Sequence, residues 1–422
     1  MIKSKYLKSS IFLTLDKVIR LLINIITFAA IAYLMTVKEF ALYSYSMLIF
    51  GILSVILSLG LDEISVKEII TAYNKKGKDT FTLISVFLKM IFSIPVVVGW
   101  IYFSGQKEIL FYAFALLLVP LNSLRFQIEA KGIGKKIIFP SLIGCIVFAI
   151  AKFFVVTQED PVYYMGVILF LETLYGVVVS CYFIEFRNFI FFKKLFYLSK
   201  IFKSSIPLWV SGFISIVYLK IDQIFIEKFY GLMKYGSYSF ATRLVEVAYI
   251  LPSLAMSSMI GFLMISKISS KQVFQFFYVL TTIVGVLSIF GFIILSAFIN
   301  KYDNFLTYSL ILSLSLPFNA LRVCSGKFYI LQGLTYLSLV RSVQSLILIL
   351  ILILILNPIF GIYSAPLSLL ITSIYAGVLV DFWNPLTKPV FYEKIEVVKQ
   401  SFSLQMYRDF FMQIKKFSNS KG

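Results

Sequence analysis

The sequence predicts an all-α integral membrane protein with about twelve transmembrane helices. Of its 422 residues, 60% are apolar and only 14% are charged, and the mean hydropathy is +0.93. A soluble domain carries nearer a quarter of charged residues. The apolar residues form runs of about 20, the length that crosses a ~30 Å hydrocarbon layer as a helix. Because these runs do not alternate with a period of two, a β-barrel is excluded.

Twelve such runs follow one another along the chain, separated by short polar segments. They lie near 10–35, 40–61, 80–104, 108–130, 137–157, 161–185, 204–227, 236–262, 273–299, 303–326, 335–357 and 361–384.

The basic residues between the runs predict the orientation. Alternate loops, together with both termini, hold 25 Lys and Arg residues, and the intervening loops hold five. Since basic loops stay in the cytoplasm, both termini are expected to be cytoplasmic. The five external basic residues are Lys38, Lys107, Lys228, Lys234 and Lys301.

Repeated segments indicate two related halves. "VPLNSLR" at 119–125 returns as "LPFNALR" at 316–322, "SSI" at 9–11 returns at 204–206, and "YSYS" at 43–46 returns as "YSFA" at 238–241. Since these matches fall in corresponding runs, we expect two parallel six-helix bundles. The expected divisions are an N-terminal bundle over 1–190, a cytoplasmic linker over 191–203, a C-terminal bundle over 204–384 and a basic cytoplasmic tail over 385–422.

Composition also excludes several kinds of chemistry. The chain has no histidine, and Cys145, Cys181 and Cys324 lie in or beside apolar runs without CxxC spacing. A Cys/His zinc site and a Ser-His-Asp triad are therefore excluded, and no metal or cofactor is expected. The net charge of +19 is spread over loops between membrane-length runs, so it predicts topology rather than a nucleic-acid partner.

Charged residues inside the runs are the candidate functional residues, because each needs a partner or a water-filled cavity. The basic ones are Lys17, Arg20, Lys89, Arg125, Lys152, Lys220, Arg243, Arg322 and Arg341, and the acidic ones are Asp16, Glu129, Glu172, Asp222, Glu246 and Asp381. The basic surplus suits a cavity that accepts an anion.

Some of these charges have a structural explanation as well. Asp16 with Arg20, Arg125 with Glu129, and Arg243 with Glu246 have i,i+4 or i,i+3 spacing and can pair along one helix. Glu172 has no such neighbour, so a salt bridge to Lys89 or to another span and ion coupling both remain open for it.

Three segments resemble the Wzx-type lipid-linked oligosaccharide flippases of the polysaccharide biosynthesis group, within the multidrug/oligosaccharidyl-lipid/polysaccharide exporter superfamily. They read "KEFALYSYSMLIFGILSVILSLGLDE" at 38–63, "IPLWVSGFISIVYLKIDQIFIEKFYG" at 206–231 and "YGSYSFATRLVEVAYILP" at 235–252. Ala41 stands where the family pattern has Gly. The resemblance implies a V-shaped pair of six-helix bundles around a cationic cavity, and a transporter rather than an enzyme.

What the resemblance implies for function is translocation of an undecaprenyl-diphosphate-linked oligosaccharide to the outer leaflet, coupled to an ion gradient. The expected substrate-binding residues are Arg20, Asn24, Lys89, Arg125, Lys220, Arg243 and Arg322, and the expected ion-coupling carboxylates are Glu172, Asp222 and Glu246. Tyr43, Tyr45 and Tyr218 are further candidates for contact with sugar rings.

The expected setting is a bacterial plasma membrane, with membrane lipids, a polysaccharide polymerase and a chain-length regulator as partners. Three alternatives remain open: a multidrug/cation antiporter and a lipid II flippase of the same superfamily, and a membrane-bound polymerase. The polymerase is disfavoured by external loops of about ten residues or fewer.

Overall fold

The computed structural model describes residues 19–62, 64–65, 68–69, 81–130, 134–184, 195–265, 270–331 and 334–401. Within these ranges every regular element is helical and no strand occurs. The predicted all-α class is therefore confirmed.

The helices of the first half follow the predicted apolar runs closely. They are α1 (Ile19–Leu34), α2 (Val37–Ser58), α3 (Phe81–Ser104), α4 (Leu110–Leu118), α5 (Arg125–Ala130), α6 (Gly134–Val155), α7 (Pro161–Tyr182) and α8 (Leu195–Tyr230). A 3₁₀ segment, Val119–Leu124, joins α4 to α5.

The second half continues in the same way and ends in a short helix beyond the last apolar run. Its helices are α9 (Leu232–Ile265), α10 (Ser270–Phe298), α11 (Phe305–Ser313), α12 (Leu316–Leu331), α13 (Thr335–Phe360), α14 (Ser364–Gly377) and α15 (Lys388–Gln400). Among the described residues, eight segments are long and apolar enough to cross a membrane, or nine if the bent pair of α11 and α12 is one span.

The chain divides into two compact units, Met1–Val217 and Tyr218–Gly422. The division falls inside α8, a single helix of 36 residues that begins at Leu195. The second part of the predicted linker, residues 195–203, is therefore helical and continuous with the seventh apolar run. The predicted boundaries of the two bundles remain predictions.

Both copies of the repeated heptad lie where a helix changes course. In the first half, Pro120 is the second residue of the 3₁₀ segment between α4 and α5. In the second half, Pro317 is the second residue of α12, which bends by 42° from α11. Proline lacks a backbone N–H and disfavours a helical conformation in the residue before it, so each copy interrupts its helix at the same point.

Local sequence determines both ends of α2. Thr36 and Glu39 form a capping box at its start. After its end, Leu59 and Gly60 adopt positive φ angles of 50° and 66°. Glycine tolerates this conformation without strain. A turn therefore separates α2 from Asp62.

An apolar stripe on α10 shows how the fold suits a lipid environment. Leu287, Phe290, Ile294 and Phe298 are 60–74% exposed and lie three or four residues apart along one face. The opposite face buries Phe274 and other residues against α12 and α15. In water such a stripe would be an association hazard, whereas acyl chains can cover it.

Candidate functional site

A cavity of about 360 Å³ lies within the N-terminal unit, between α1, the 3₁₀ segment and its continuation in α5, α6 and α7. Its wall includes the polar and charged side chains of Arg20, Asn24, Asn122, Arg125, Ser141 and Glu172. Tyr175, Cys145 and apolar residues such as Leu21 and Phe148 also line the cavity. Four predicted site residues, Arg20, Asn24, Arg125 and Glu172, thus meet in one place.

Helix periodicity explains why two pairs of residues reach this wall together. Arg20 and Asn24 are four residues apart on α1, so they share one face. Asn122 and Arg125 are three apart across the 3₁₀ segment and its end, and three residues complete one 3₁₀ turn. The helix break at Pro120 therefore aligns the amide and the guanidinium of the repeated heptad toward the same cavity.

Hydrogen bonds hold the charged groups of the cavity. Arg20 Nη1 donates to Ser141 Oγ on α6 over 2.8 Å, and Lys152 Nζ on α6 donates to Glu172 Oε2 on α7 over 2.8 Å. Lys152 therefore balances Glu172, and Arg20 and Arg125 are the other charged residues that line this wall. The expected partner Asp16 of Arg20 and the side chain of Glu129 lie outside the described residues.

The suggested pairing of Lys89 with Glu172 is wrong. Lys89 is 2% exposed, and its Nζ forms an ion pair with Asp62 and donates to Ser123 Oγ over 2.8 Å. The error arose because Asp62 lies at the end of a run in "SLGLDE", where a carboxylate is expected to meet water. Only the turn at Leu59 and Gly60 brings it against α3.

The C-terminal unit contains a second charged cluster, where α8 meets α9. Lys220 forms an ion pair with Glu246, Gln223 Nε2 donates to the same carboxylate over 3.0 Å, and Arg243 Nη1 lies 3.7 Å from Glu246 Oε2. The predicted i,i+3 pairing of Arg243 with Glu246 is confirmed. Three predicted site residues therefore neutralise one another in part.

Asp222, two residues after Lys220 on α8, lies in a different environment. Its side chain is completely buried, and it accepts a hydrogen bond from the Tyr238 hydroxyl. Among the described residues no basic group forms an ion pair with it, and its Oδ1 has no side-chain hydrogen-bond partner. It is the carboxyl group of the predicted set with the least cationic support.

The second copy of the heptad does not repeat the arrangement of the first. Arg322 Nε donates to Asn319 Oδ1 over 3.0 Å, and the guanidinium lies 5.4 Å from the ring centroid of Tyr218. Tyr218 is 1% exposed, so its ring packs against Arg322 and is not presented at a surface. The same sequence motif thus supports a cavity wall in one unit and an internal contact in the other.

Sequence reasoning missed three contributors to the N-terminal site: Asp62, Ser141 and Asn122. Asn122 carried a signal, because it recurs with Arg125 in both heptads. Ser141 carried none, since a serine in an apolar run is common.

Among the described residues there is no group of three or more His, Cys, Asp or Glu side chains that could hold a metal ion.

Comparison with solved structures identifies the fold. An inward-facing multidrug resistance MATE family transporter of the MOP superfamily superposes with a TM-score of 0.70 and 11% identity, over 91% of this chain and 96% of that one. The lipid II flippase MurJ in an inward closed conformation gives 0.69 and 13%, over 94% and 93%. A eukaryotic MATE transporter gives 0.61 and 14%, over 93% and 98%. At these identities the likeness concerns the fold alone.

Comparison by sequence identifies the family. A search of curated proteins finds no match. The family model described as "Polysaccharide biosynthesis protein" matches residues 6–260, more than half of the chain, and it includes the N-terminal cavity and the α8–α9 cluster. This multi-pass membrane protein of MATE-like fold belongs to the polysaccharide biosynthesis protein family.

Proposed function

We propose that the protein is a flippase that moves an undecaprenyl-diphosphate-linked oligosaccharide from the cytoplasmic to the outer leaflet of a bacterial plasma membrane. The observation that carries this proposal is the cavity in the N-terminal unit, where Arg20 and Arg125 lie beside Asn24 and Asn122. Membership of a polysaccharide biosynthesis family and a fold shared with a lipid II flippase support it.

The chemistry of the cavity suits a phosphate-bearing group attached to sugars. Guanidinium groups recognise phosphate oxygens through paired hydrogen bonds, and they keep their charge at any physiological pH. The asparagine amides offer both donors and acceptors, which match sugar hydroxyls. An apolar polyprenyl chain needs no cavity, because it stays in the bilayer.

The same wall disfavours transport of cationic drugs. A cavity that accepts a cation should present unpaired carboxylates, whereas the carboxylate here, Glu172, is already held by Lys152.

Ion coupling is assigned to a carboxyl group of the C-terminal unit. Glu172 and Glu246 both have basic partners, while Asp222 is completely buried and accepts a hydrogen bond from the Tyr238 hydroxyl. A buried carboxylate without a cation gains most from binding a proton or a metal ion. We therefore place Asp222 first among the three predicted coupling residues, with Glu172 and Glu246 after it.

The proposed orientation has both termini in the cytoplasm. The proposed protein partners are a polysaccharide polymerase and a chain-length regulator in the same membrane. Reporters fused after Lys203 or Lys271 should read cytoplasmic, and a reporter fused near Lys234 should read external. A cytoplasmic signal at Lys234 would contradict this topology.

The function is tested in the native host after deletion of the chromosomal copy. Plasmid-borne Arg20→Ala and Arg125→Ala should each fail to restore surface polysaccharide and should accumulate lipid-linked oligosaccharide, at normal protein level. Arg20→Lys should restore part of the export, because charge survives without the paired geometry. The control is Lys234→Ala, which removes an exposed ion pair with Asp303 and should export normally. Normal export by both arginine variants would exclude the cavity as the substrate site.

A further inference from the structure

An ion pair between the buried Lys89 and the more exposed Asp62 contacts the 3₁₀ segment beside the N-terminal cavity. The Lys89 side chain is 3% exposed and joins two groups, the Asp62 carboxylate and the Ser123 hydroxyl at 2.8 Å. Lys89 itself does not line the cavity within the described part of the chain. Its ammonium group therefore contacts protein groups and is not presented to a ligand in the cavity.

Ser123 lies in the repeated heptad, next to the residues that line the cavity. It lies between Asn122 and Arg125, the two residues that reach the cavity from the 3₁₀ segment. Because a 3₁₀ turn contains three residues, anchoring Ser123 toward α3 fixes the direction in which the other two residues point. A 3₁₀ segment has poorer internal hydrogen bonds than an α-helix, so it depends on such an outside anchor.

The other end of the ion pair is anchored as well. Asp62 follows the turn at Leu59 and Gly60, and a Cβ on Gly60 would lie 2.7 Å from the Trp209 backbone nitrogen. The Trp209 indole Nε1 donates to the Ile56 carbonyl over 2.9 Å. The turn that precedes Asp62 therefore packs against α8 at Trp209.

We propose that Lys89, held by Asp62, is a positioning residue that aims Arg125 and Asn122 into the cavity, and that it is not a ligand of the transported anion. The inference rests on the proposed function, since it concerns the anion site of that cavity. It also replaces the expectation from sequence that Lys89 contacts the diphosphate.

A positioning residue and a direct ligand differ in how their loss combines with loss of Arg125. If Lys89 acts through Arg125, its removal has no further effect once Arg125 is gone, but keeps its full effect when Arg20 is gone. If Lys89 binds the anion itself, its removal weakens binding in every background, because separate contacts add.

The experiment measures pyrophosphate binding by calorimetry to the purified full-length protein in lipid nanodiscs. Lys89→Met should weaken binding about tenfold in the wild-type and Arg20→Gln backgrounds, a factor typical of one lost charged contact, and less than about twofold in the Arg125→Gln background. Ser93→Ala, which removes a buried hydroxyl one turn along the same helix, is the matched control and should bind as wild type. Equal loss in all backgrounds, or no loss in any, would overturn the proposal.

A second readout separates this proposal from the proposed function. Cys145 lines the cavity, so with Cys181 and Cys324 replaced by alanine its rate of reaction with a sulfonate-bearing thiol reagent reports the local geometry. Lys89→Met should change this rate severalfold, and Ser93→Ala should not. If the wild-type protein binds no pyrophosphate but the rate still changes, the anion site is wrong and the positioning role stands. An unchanged rate contradicts the positioning role.

The neutral double variant Asp62→Asn/Lys89→Met covers the case in which Lys89→Met does not fold. It leaves no buried charge without a partner, and the same loss of binding and change in Cys145 reactivity are expected. Wild-type values for both measurements in this variant would also overturn the proposal.

Discussion

Lys152 on α6 and Glu172 on α7 form a hydrogen-bonded ion pair beside the N-terminal cavity, with Nζ 2.8 Å from Oε2. Their side chains are 15% and 32% exposed. One of the three carboxylates that the sequence predicts for ion coupling therefore has a cationic partner on the preceding helix. This contact makes Glu172 a bridge between two helices of the cavity wall.

Replacing Glu172 should affect stability more than coupling. In Glu172→Gln the ammonium of Lys152 loses its charged acceptor, and the thermal midpoint in nanodiscs should fall by an amount equivalent to about 1–3 kcal/mol. The exchanged pair Lys152→Glu/Glu172→Lys should recover most of this loss. In vesicles with a defined proton or Na⁺ gradient, Glu172→Gln and Glu172→Ala should still depend on the gradient. Loss of that dependence at normal stability would return Glu172 to the coupling role.

Replacing Asp222 should have the opposite outcome. Asp222→Asn keeps an oxygen that can accept from Tyr238 but cannot bind a proton or hold a negative charge. We expect near-normal folding, and a rate of flipping that no longer responds to the imposed gradient. Asp303→Asn, at an exposed ion pair with Lys234, provides the control. A full gradient response in Asp222→Asn would exclude this residue as the coupling site.

Gly377 on α14 lies against the backbone of Phe318 in the second heptad, so we expect a larger residue at this position to clash. A Cβ on Gly377 would lie 3.0 Å from the carbonyl carbon of Phe318, a backbone atom that cannot turn aside. Gly377→Ala should therefore destabilise the C-terminal unit by about 1–3 kcal/mol, seen as a lower thermal midpoint. Gly291→Ala, whose added Cβ meets nothing within 4 Å, should change it little. Equal midpoints for the two variants would show that α12 and α14 are not so close.

The final helix predicts a pH dependence. Lys394 on α15 is completely buried, and its Nζ donates to the Gly377 carbonyl over 2.7 Å and to the Asp381 carboxylate. Burial lowers the pKa of this ammonium group to about 8, while Asp381 acts in the opposite direction and Arg341 reinforces the lowering. Exposed to water, the same group has a pKa of 10.5.

The direction of this pH dependence follows from how many protons Lys394 binds when α15 is docked and when it is undocked. Between about pH 8 and pH 10.5, the undocked helix holds a proton on Lys394 that the docked helix has released, so docking strengthens as the pH rises through this window. Below pH 8 both states hold the proton and this contribution is constant. The thermal midpoint of the wild type should therefore rise relative to that of Lys394→Met between pH 8 and 10. Parallel pH profiles would contradict the prediction.

The sequence by itself determined the class of the fold, and the reason is local. Continuous apolar runs of membrane length can satisfy their backbone only as helices in lipid, so the helical segments and their order were readable without a structure. The break at each heptad was also readable, because Pro120 and Pro317 act on their own backbone. The resemblance of three segments to the polysaccharide biosynthesis family was readable for the same reason, since residue identity is enough.

Only the tertiary structure decided which charges meet. Lys89 could have paired with Glu172 on the basis of depth, but the turn after α2 brings Asp62 to it, and Lys152 reaches Glu172 instead. The two heptads share Asn and Arg, yet Arg125 lines a cavity and Arg322 packs on Tyr218. Charge pairing depends on helix rotation and on neighbours distant in sequence, and an error of one residue in rotation turns a side chain by about 100°.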